Sequence, residues 1–106
     1  MTMPRPRKCR RVANEFGVTY FKPAGVPLRE LEELEITVDE LEALRLVDYK
    51  EKDQLKAAKD MGISQPTLHR LLACSRKKIA DALTNGRAIK INGGNYRIYK
   101  KNKEVE

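Results

Sequence analysis

The fold is decided by the stretch QLKAAKDMGISQPTLHRLLA at residues 54–73. Small Ala58 lets a second helix cross closely over the first, and Gly62, four positions later, tolerates a sharp turn. Apolar residues occupy the positions that lock two such helices together, namely Ala57, Met61, Ile63, Leu68 and Leu71. The spacing therefore predicts a helix-turn-helix motif over 54–73.

Capping residues predict where three helices begin. Thr37 and Glu40 have the spacing of a capping box, in which each side chain bonds the backbone of the other residue. They predict that a helix over 38–50 begins directly after Thr37. By the same reasoning, two further helices are expected, over 54–61 after Asp53 and over 65–84 after Ser64.

The third helix carries an apolar stripe that predicts its buried face. The stripe residues recur at spacings of four and three, and they are Leu68, Leu72, Ser75, Ile79 and Leu83. Helical periodicity then places the opposite, outward side at Pro66, His69, Arg70, Ala73 and Lys77. In the preceding helix, the residues expected to face inward are Leu55, Ala58 and Met61.

The polar side of the third helix points to DNA, because the second helix of such a motif enters the major groove by its N-terminal half. Gln side chains bond adenine, Arg side chains bond guanine, and Ser or Thr hydroxyls bond bases or phosphate. Small Ala73 permits close approach to the bases. The candidate DNA contacts on this helix are Ser64, Gln65, Pro66, Thr67, His69, Arg70, Ala73, Arg76, Lys77 and Lys78.

Charge is unevenly distributed along the chain. The net charge is +5 over residues 1–27, −6 over residues 28–53 and +8 over residues 54–106, which gives +7 in total. This pattern favours a polyanionic partner for the two ends, with the middle facing away or binding something else. The alternative is that the Lys and Arg residues simply solvate the surface.

The chain is expected to form one domain over 12–99, between a basic flexible arm at 1–11 and a frayed tail at 100–106. Arginine-bearing arms enter the minor groove of DNA, and the alternative here is a solvated tail. The basic residues of the arm are Arg5, Arg7, Lys8, Arg10 and Arg11. The predicted fold class is mainly α, with a short strand at 18–21 and a C-terminal β-hairpin made from AIKI, an NGG turn and NYRIYK.

Composition argues against several functions. A chain of 106 residues has a small core and little room for a deep catalytic cleft, and His69 has no evident catalytic partner, so no enzyme is expected. One His and two Cys do not complete a zinc site, so no cofactor is expected. No apolar stretch reaches the length of a membrane span, and the two Cys fit a reducing cytoplasm.

Two resemblances support the same interpretation. The turn and the long third helix resemble region four of bacterial sigma factors, whose helix-turn-helix reads promoter DNA. From Pro4 to Arg97 the chain resembles more closely a small prokaryotic family of uncharacterised proteins that are predicted to bind DNA, which implies a regulatory role. The runs that carry this resemblance are PRPRKCRRV at 4–12, TYFKPAGVPLRELEE at 19–33, ITVDELEALRL at 36–46, the helix-turn-helix, and GGNYR at 93–97.

The sequence thus predicts a non-enzymatic, cytoplasmic protein that binds double-stranded DNA sequence-specifically and regulates transcription. A homodimer would raise specificity, because two recognition helices read two half-sites. The alternatives left open are a protein-interaction module that contacts the transcription machinery, such as RNA polymerase, through the acidic middle, and an RNA-binding protein that uses the arm and the tyrosines.

Overall fold

The computed structural model describes residues 10–94 and 96–98. About half of these residues are helical. The three helices are α1 (Val38–Leu44), α2 (Gln54–Met61) and α3 (Gln65–Asn85). Directly after α1, the chain continues through a wider π-helical turn, Arg45–Tyr49. The helix predicted over 38–50 is therefore observed as two consecutive pieces.

Side-chain caps begin all three helices, as the sequence predicted. The Thr37 hydroxyl accepts from the Glu40 amide at 3.3 Å, and the Glu40 carboxylate accepts from the Thr37 amide at 3.0 Å. Asp53 and Ser64 cap α2 and α3 by accepting from the backbone amide three positions on. Each cap satisfies an amide that has no partner within its own helix, which fixes the helix start.

The helices pack around a core to which all three contribute, and its buried residues are Ala43, Leu46, Ala57, Ala58, Met61, Leu68 and Leu72. Two predicted core residues are wrong: Leu55 is 66% exposed and Leu83 is 78% exposed. The two Ala residues and Met61 fill the inward side of α2, which turns Leu55 away. Besides the other helices, α3 packs on a sheet, and near its end Ala82 is buried instead of Leu83.

Two small sheets accompany the helices. The first contains three strands in the order β2 (Tyr20–Phe21), β4 (Ala88–Ile91) and β3 (Glu33–Ile36). Strand β4 runs antiparallel to β2 and parallel to β3. The second sheet pairs β1 (Arg10–Val12) in parallel with β5 (Tyr96–Ile98), and a single 3₁₀ turn, Leu28–Glu30, precedes β3.

The predicted C-terminal β-hairpin is wrong, because β4 and β5 belong to different sheets. Both edges of β4 are occupied, by β2 on one side and β3 on the other, so β5 has no free edge of β4 to join. Instead, the chain after β4 passes the start of α1, where the Gly93 carbonyl accepts from the Val38 amide at 3.0 Å. Because the fold includes these two sheets, the description "mainly α" is too narrow.

The basic arm coincides only partly with the described residues. Arg10 and Arg11, the last two residues of the arm predicted at 1–11, belong to strand β1. The arm residues Arg5, Arg7 and Lys8 lie outside the described residues, as does the tail predicted at 100–106.

Candidate nucleic-acid interface

The N-terminus of α3 is held by two hydroxyl groups. The Ser64 hydroxyl accepts from the Thr67 amide and donates to the Thr67 hydroxyl, with an oxygen–oxygen distance of 2.9 Å. Pro66 fits in the first turn, where an amide is not needed. Two of the predicted contact residues, Ser64 and Thr67, therefore fix the direction in which α3 leaves the turn.

The outward face of α3 is polar, basic and exposed. Leu68, Leu72 and Ser75 are buried on the opposite side of the helix. Within residues 10–94 and 96–98, neither Arg70 nor Lys77 forms an ion pair. The exposed residues on the outward side are Gln65, Pro66, His69, Arg70, Ala73 and Lys77. This face therefore offers hydrogen-bond donors and positive charge on a rigid helix.

Arg76 lies on one flank of α3 and is paired. Its guanidinium donates two hydrogen bonds to Asp48 in the π-helical turn, at 2.7 and 3.0 Å. These bonds lower the pKa of Asp48 and raise the pKa of Arg76. Because the Asp48 pKa is depressed, the pair persists at neutral pH and is lost only as pH falls through that lowered value. At neutral pH, a phosphate must therefore compete with Asp48 for Arg76.

Two more of the predicted basic contacts are paired with α1. Lys78 donates to the Glu40 carboxylate at 2.8 Å, and Arg10 donates to Asp39 at 3.1 Å. The carboxylates of Asp39 and Glu40 are largely buried. The acidic middle of the chain therefore does not simply face away from the basic ends, because part of it neutralises them.

Arg11 connects the N-terminal strand to the turn between α2 and α3. Its guanidinium donates to the carbonyl of Lys59 at 3.2 Å, close to the end of α2. The Lys59 carbonyl also accepts from the Gly62 amide, at 3.1 Å, and a cation near the end of α2 interacts favourably with the helix dipole. The same guanidinium lies against Gly62, which ends α2 with a φ of 68°. We conclude that Arg11 stabilises the turn itself.

Replacing Gly62 by Ala is expected to lower the free energy of unfolding by about 1–2 kcal/mol, because φ is left-handed and side chains with a Cβ resist it. The new Cβ would also lie 3.0 Å from the Arg11 guanidinium and displace it. Urea denaturation measures the change. Gly17→Ala is the control, since a Cβ at Gly17 meets nothing within 4 Å. Equal stability of the two variants would contradict this account of the turn.

Two residues of α2 join the candidate surface that the sequence reasoning did not include. Lys56 and Lys59 are exposed, and neither forms an ion pair among the described parts of the chain. The first helix of a helix-turn-helix crosses the DNA backbone, where lysines meet phosphate. Their charge is evident in the sequence, but the sequence prediction considered only the second helix of the motif and therefore did not include them.

Among the described residues, no group of three or more His, Cys, Asp or Glu side chains is placed to hold a metal ion. The helices in the same part of the chain include none with the length and apolar character needed to span a bilayer.

The fold and this surface define a small three-helix domain with two short sheets, which presents a basic helix face beside a tight turn. The chain belongs to the family described as "Protein of unknown function DUF134", whose model matches residues 1–99. The sequence resemblance to an uncharacterised prokaryotic family is thereby confirmed. No solved structure matches the chain.

Relatives of similar sequence carry the name UPF0251 protein. One from Thermoanaerobacter pseudethanolicus is 53% identical over 97 residues, which are 92% of this chain and 82% of the relative. One from Caldanaerobacter subterraneus subsp. tengcongensis is 54% identical over 97 residues, again 92% of this chain and 82% of the relative. One from Moorella thermoacetica is 56% identical over 96 residues, covering 91% of this chain and 64% of the relative.

Proposed function

We propose that this protein binds double-stranded DNA sequence-specifically through a helix-turn-helix formed by α2, the turn and α3, and that it regulates transcription. In this proposal, α3 lies in the major groove and α2 crosses the phosphate backbone. The activity is binding rather than catalysis, and the site of action is the cytoplasm. The proposal needs no cofactor.

One observation carries the proposal: the outward face of α3 combines exposed polar and basic side chains with a small residue at its centre. Arg70 and Gln65 are side chains that bond base edges, and Ala73 leaves room for the bases to approach. Arg70 and Lys77 have no acidic partner among the described residues, so binding a phosphate or a base does not require breaking an ion pair. A helix face whose polar side chains served only to interact with water would not need this arrangement.

The direct test is a titration of the protein with random duplex DNA, single-stranded DNA and RNA at two salt concentrations. We expect the tightest binding to the duplex, with affinity falling steeply as salt rises, because counterions are released from the phosphates. Selection of bound genomic fragments then gives the preferred site. Stronger binding to RNA or to single strands would favour the RNA-binding alternative, in which aromatic side chains stack on bases.

Asp48→Asn is expected to raise duplex affinity. The substitution removes the charge that holds Arg76 and frees the guanidinium for phosphate. One added phosphate contact steepens the slope of log affinity against log salt by about 0.9. Fluorescence anisotropy at several salt concentrations measures both quantities.

The matched control for this prediction is Asp81→Asn. It changes the net charge equally, but Asp81 pairs with Arg87, which follows the end of α3 and keeps a second ion pair with Glu32. If both variants raise affinity by the same factor, the gain comes from net charge alone. Arg76 would then not lie at the phosphate backbone.

A second candidate function rests on the exposed acidic residues near β3. Three carboxylates lie on the surface within residues 30–33, at Glu30, Glu32 and Glu33. Such a surface suits a basic partner of the transcription machinery and repels DNA. If the protein binds no duplex DNA in the titration but binds RNA polymerase, this second function is the preferred one.

A further inference from the structure

A concave, apolar groove lies between the loop after β1 and the α1 helix with its π-helical turn. Its volume is about 590 Å³. One wall comes from the segment 14–18 and from β2, and the other comes from α1 and the π-helical turn. The apolar side chains along it are Phe16, Val18, Phe21, Leu41, Leu44 and Ile91. No part of the proposed DNA interface uses these side chains.

The charged side chains of this groove leave little to attract an ion. Arg45 donates two hydrogen bonds to the buried Glu42, at 2.8 and 2.9 Å. Asp48 accepts two from Arg76. The remaining charged residue on the lining is Glu15, which is also engaged in an interaction. Because an ion loses its hydration against apolar walls, the lining favours an uncharged occupant.

The shape and the lining favour a small molecule over a second copy of the chain. A volume of this size is within the range of small-molecule sites, which are concave and lined by apolar and aromatic side chains. A stable dimer needs a broad surface of about 800 Å² on each partner. Here the groove rim carries the exposed apolar residues Val18, Phe21 and Tyr49, whereas Leu28, Leu55 and Leu83 lie outside it.

The π-helical turn is a second, independent observation at this groove. Such turns are rare and occur frequently at functional sites. This one brings Arg45, Asp48 and Tyr49 to the groove wall. Tyr49 is 77% exposed there, so its ring is available to pack against an aromatic ligand.

We propose that this groove binds an uncharged, ring-containing small molecule. Resting on the proposed function, we further infer that the ligand regulates DNA binding. Asp48 belongs to the groove wall and holds Arg76 of α3, so one ion pair separates the ligand from the DNA-facing helix. Such coupling is reciprocal: the ligand and the duplex change each other's affinity by the same factor.

The test uses the uncharged fluorophore N-phenyl-1-naphthylamine, titrated into the full chain without DNA. We expect saturable binding of one probe per chain and weaker binding of the anionic analogue 1-anilinonaphthalene-8-sulfonate. Val18→Asp is expected to weaken binding of the uncharged probe at least tenfold, because it places a carboxylate at the rim. Tyr49→Ala should weaken it several-fold. Both residues are exposed, so the variants should keep the fold, which circular dichroism checks.

Leu28→Asp is the matched control, since Leu28 is about as exposed as Val18 but does not line the groove. Unsaturable binding, or equal weakening by the substitutions at Leu28 and Val18, would overturn the site. If sedimentation shows a dimer that Val18→Asp dissociates, a second copy occupies the groove and the small-molecule proposal is wrong.

Regulation is tested separately, with the preferred duplex at saturation. We expect the duplex to change the affinity for the probe at least threefold, and Asp48→Asn to abolish that change. If the probe binds saturably but the duplex does not affect its affinity, the proposed regulation is wrong and the proposed binding site stands. Saturable probe binding by a protein that binds no duplex would instead overturn the proposed function.

Discussion

Leu72→Ala is expected to lower the free energy of unfolding by about 2–5 kcal/mol. Leu72 is 1% exposed and belongs to the core that all three helices share. Truncation removes buried apolar area and leaves a cavity between α3 and the other helices, which cannot collapse fully in a closely packed core. Urea denaturation followed by circular dichroism measures the loss.

The same substitution at Leu83 is the control. Leu83 lies on the same helix and belongs to the stripe predicted from the sequence, but it is largely exposed. We expect Leu83→Ala to change stability by less than about 0.5 kcal/mol. A Leu72→Ala variant with an unfolding midpoint close to that of the wild type would contradict the position of the core.

Arg70→Ala is expected to reduce affinity for the preferred duplex by about 5- to 150-fold, equivalent to about 1–3 kcal/mol. Arg70 is exposed on the outward face of α3 and forms no ion pair with any described residue, so the loss measures contact with DNA. A side chain that contacts a base also determines which base is preferred there. We therefore expect the variant to discriminate less among the four bases at one position of the site. Binding to a panel of single-base variants measures this relaxation.

Lys77→Ala is the matched comparison for Arg70→Ala. Lys77 is exposed on the same side of α3, about 10 Å further along the helix axis. In the proposed complex Lys77 contacts phosphate, so its loss should weaken binding to all duplexes alike and reduce the salt slope by about 0.9. If both variants bind duplex DNA like the wild type, α3 does not lie in the groove. The protein-interaction function would then be preferred.

The sequence alone determined the features that depend on neighbouring residues. The caps at Thr37, Asp53 and Ser64, and the turn at Gly62, depend on side chains within a few positions of the backbone groups that they satisfy. The outward face of α3 follows from helical periodicity once Leu68 is taken as buried. These parts of the helical fold, and the exposure of the outward face of α3, were therefore predicted correctly as local structure.

The tertiary structure alone decided which basic residues are already paired. Asp48 and Arg76 are 28 positions apart, and Glu40 and Lys78 are 38 positions apart. No local pattern relates such residues, because an ion pair between two helices depends on how the helices pack. The sequence prediction grouped Arg76, Lys77 and Lys78 together as DNA contacts, and only the packing of α1 and the π-helical turn against α3 separates them.

For the same reason, the sequence could not predict which strands pair with each other. The segments at 88–91 and 95–100 were predicted to form the two strands of one hairpin, since strand propensity does not specify a partner. In the structure, β2 and β3 arrive from far earlier in the chain and occupy both edges of β4. The groove beside α1 likewise exists only because the loop after β1 lies opposite α1. The local sequence determined which helices and strands form. Which strands pair and which charged side chains form ion pairs depended on segments that are distant in the sequence.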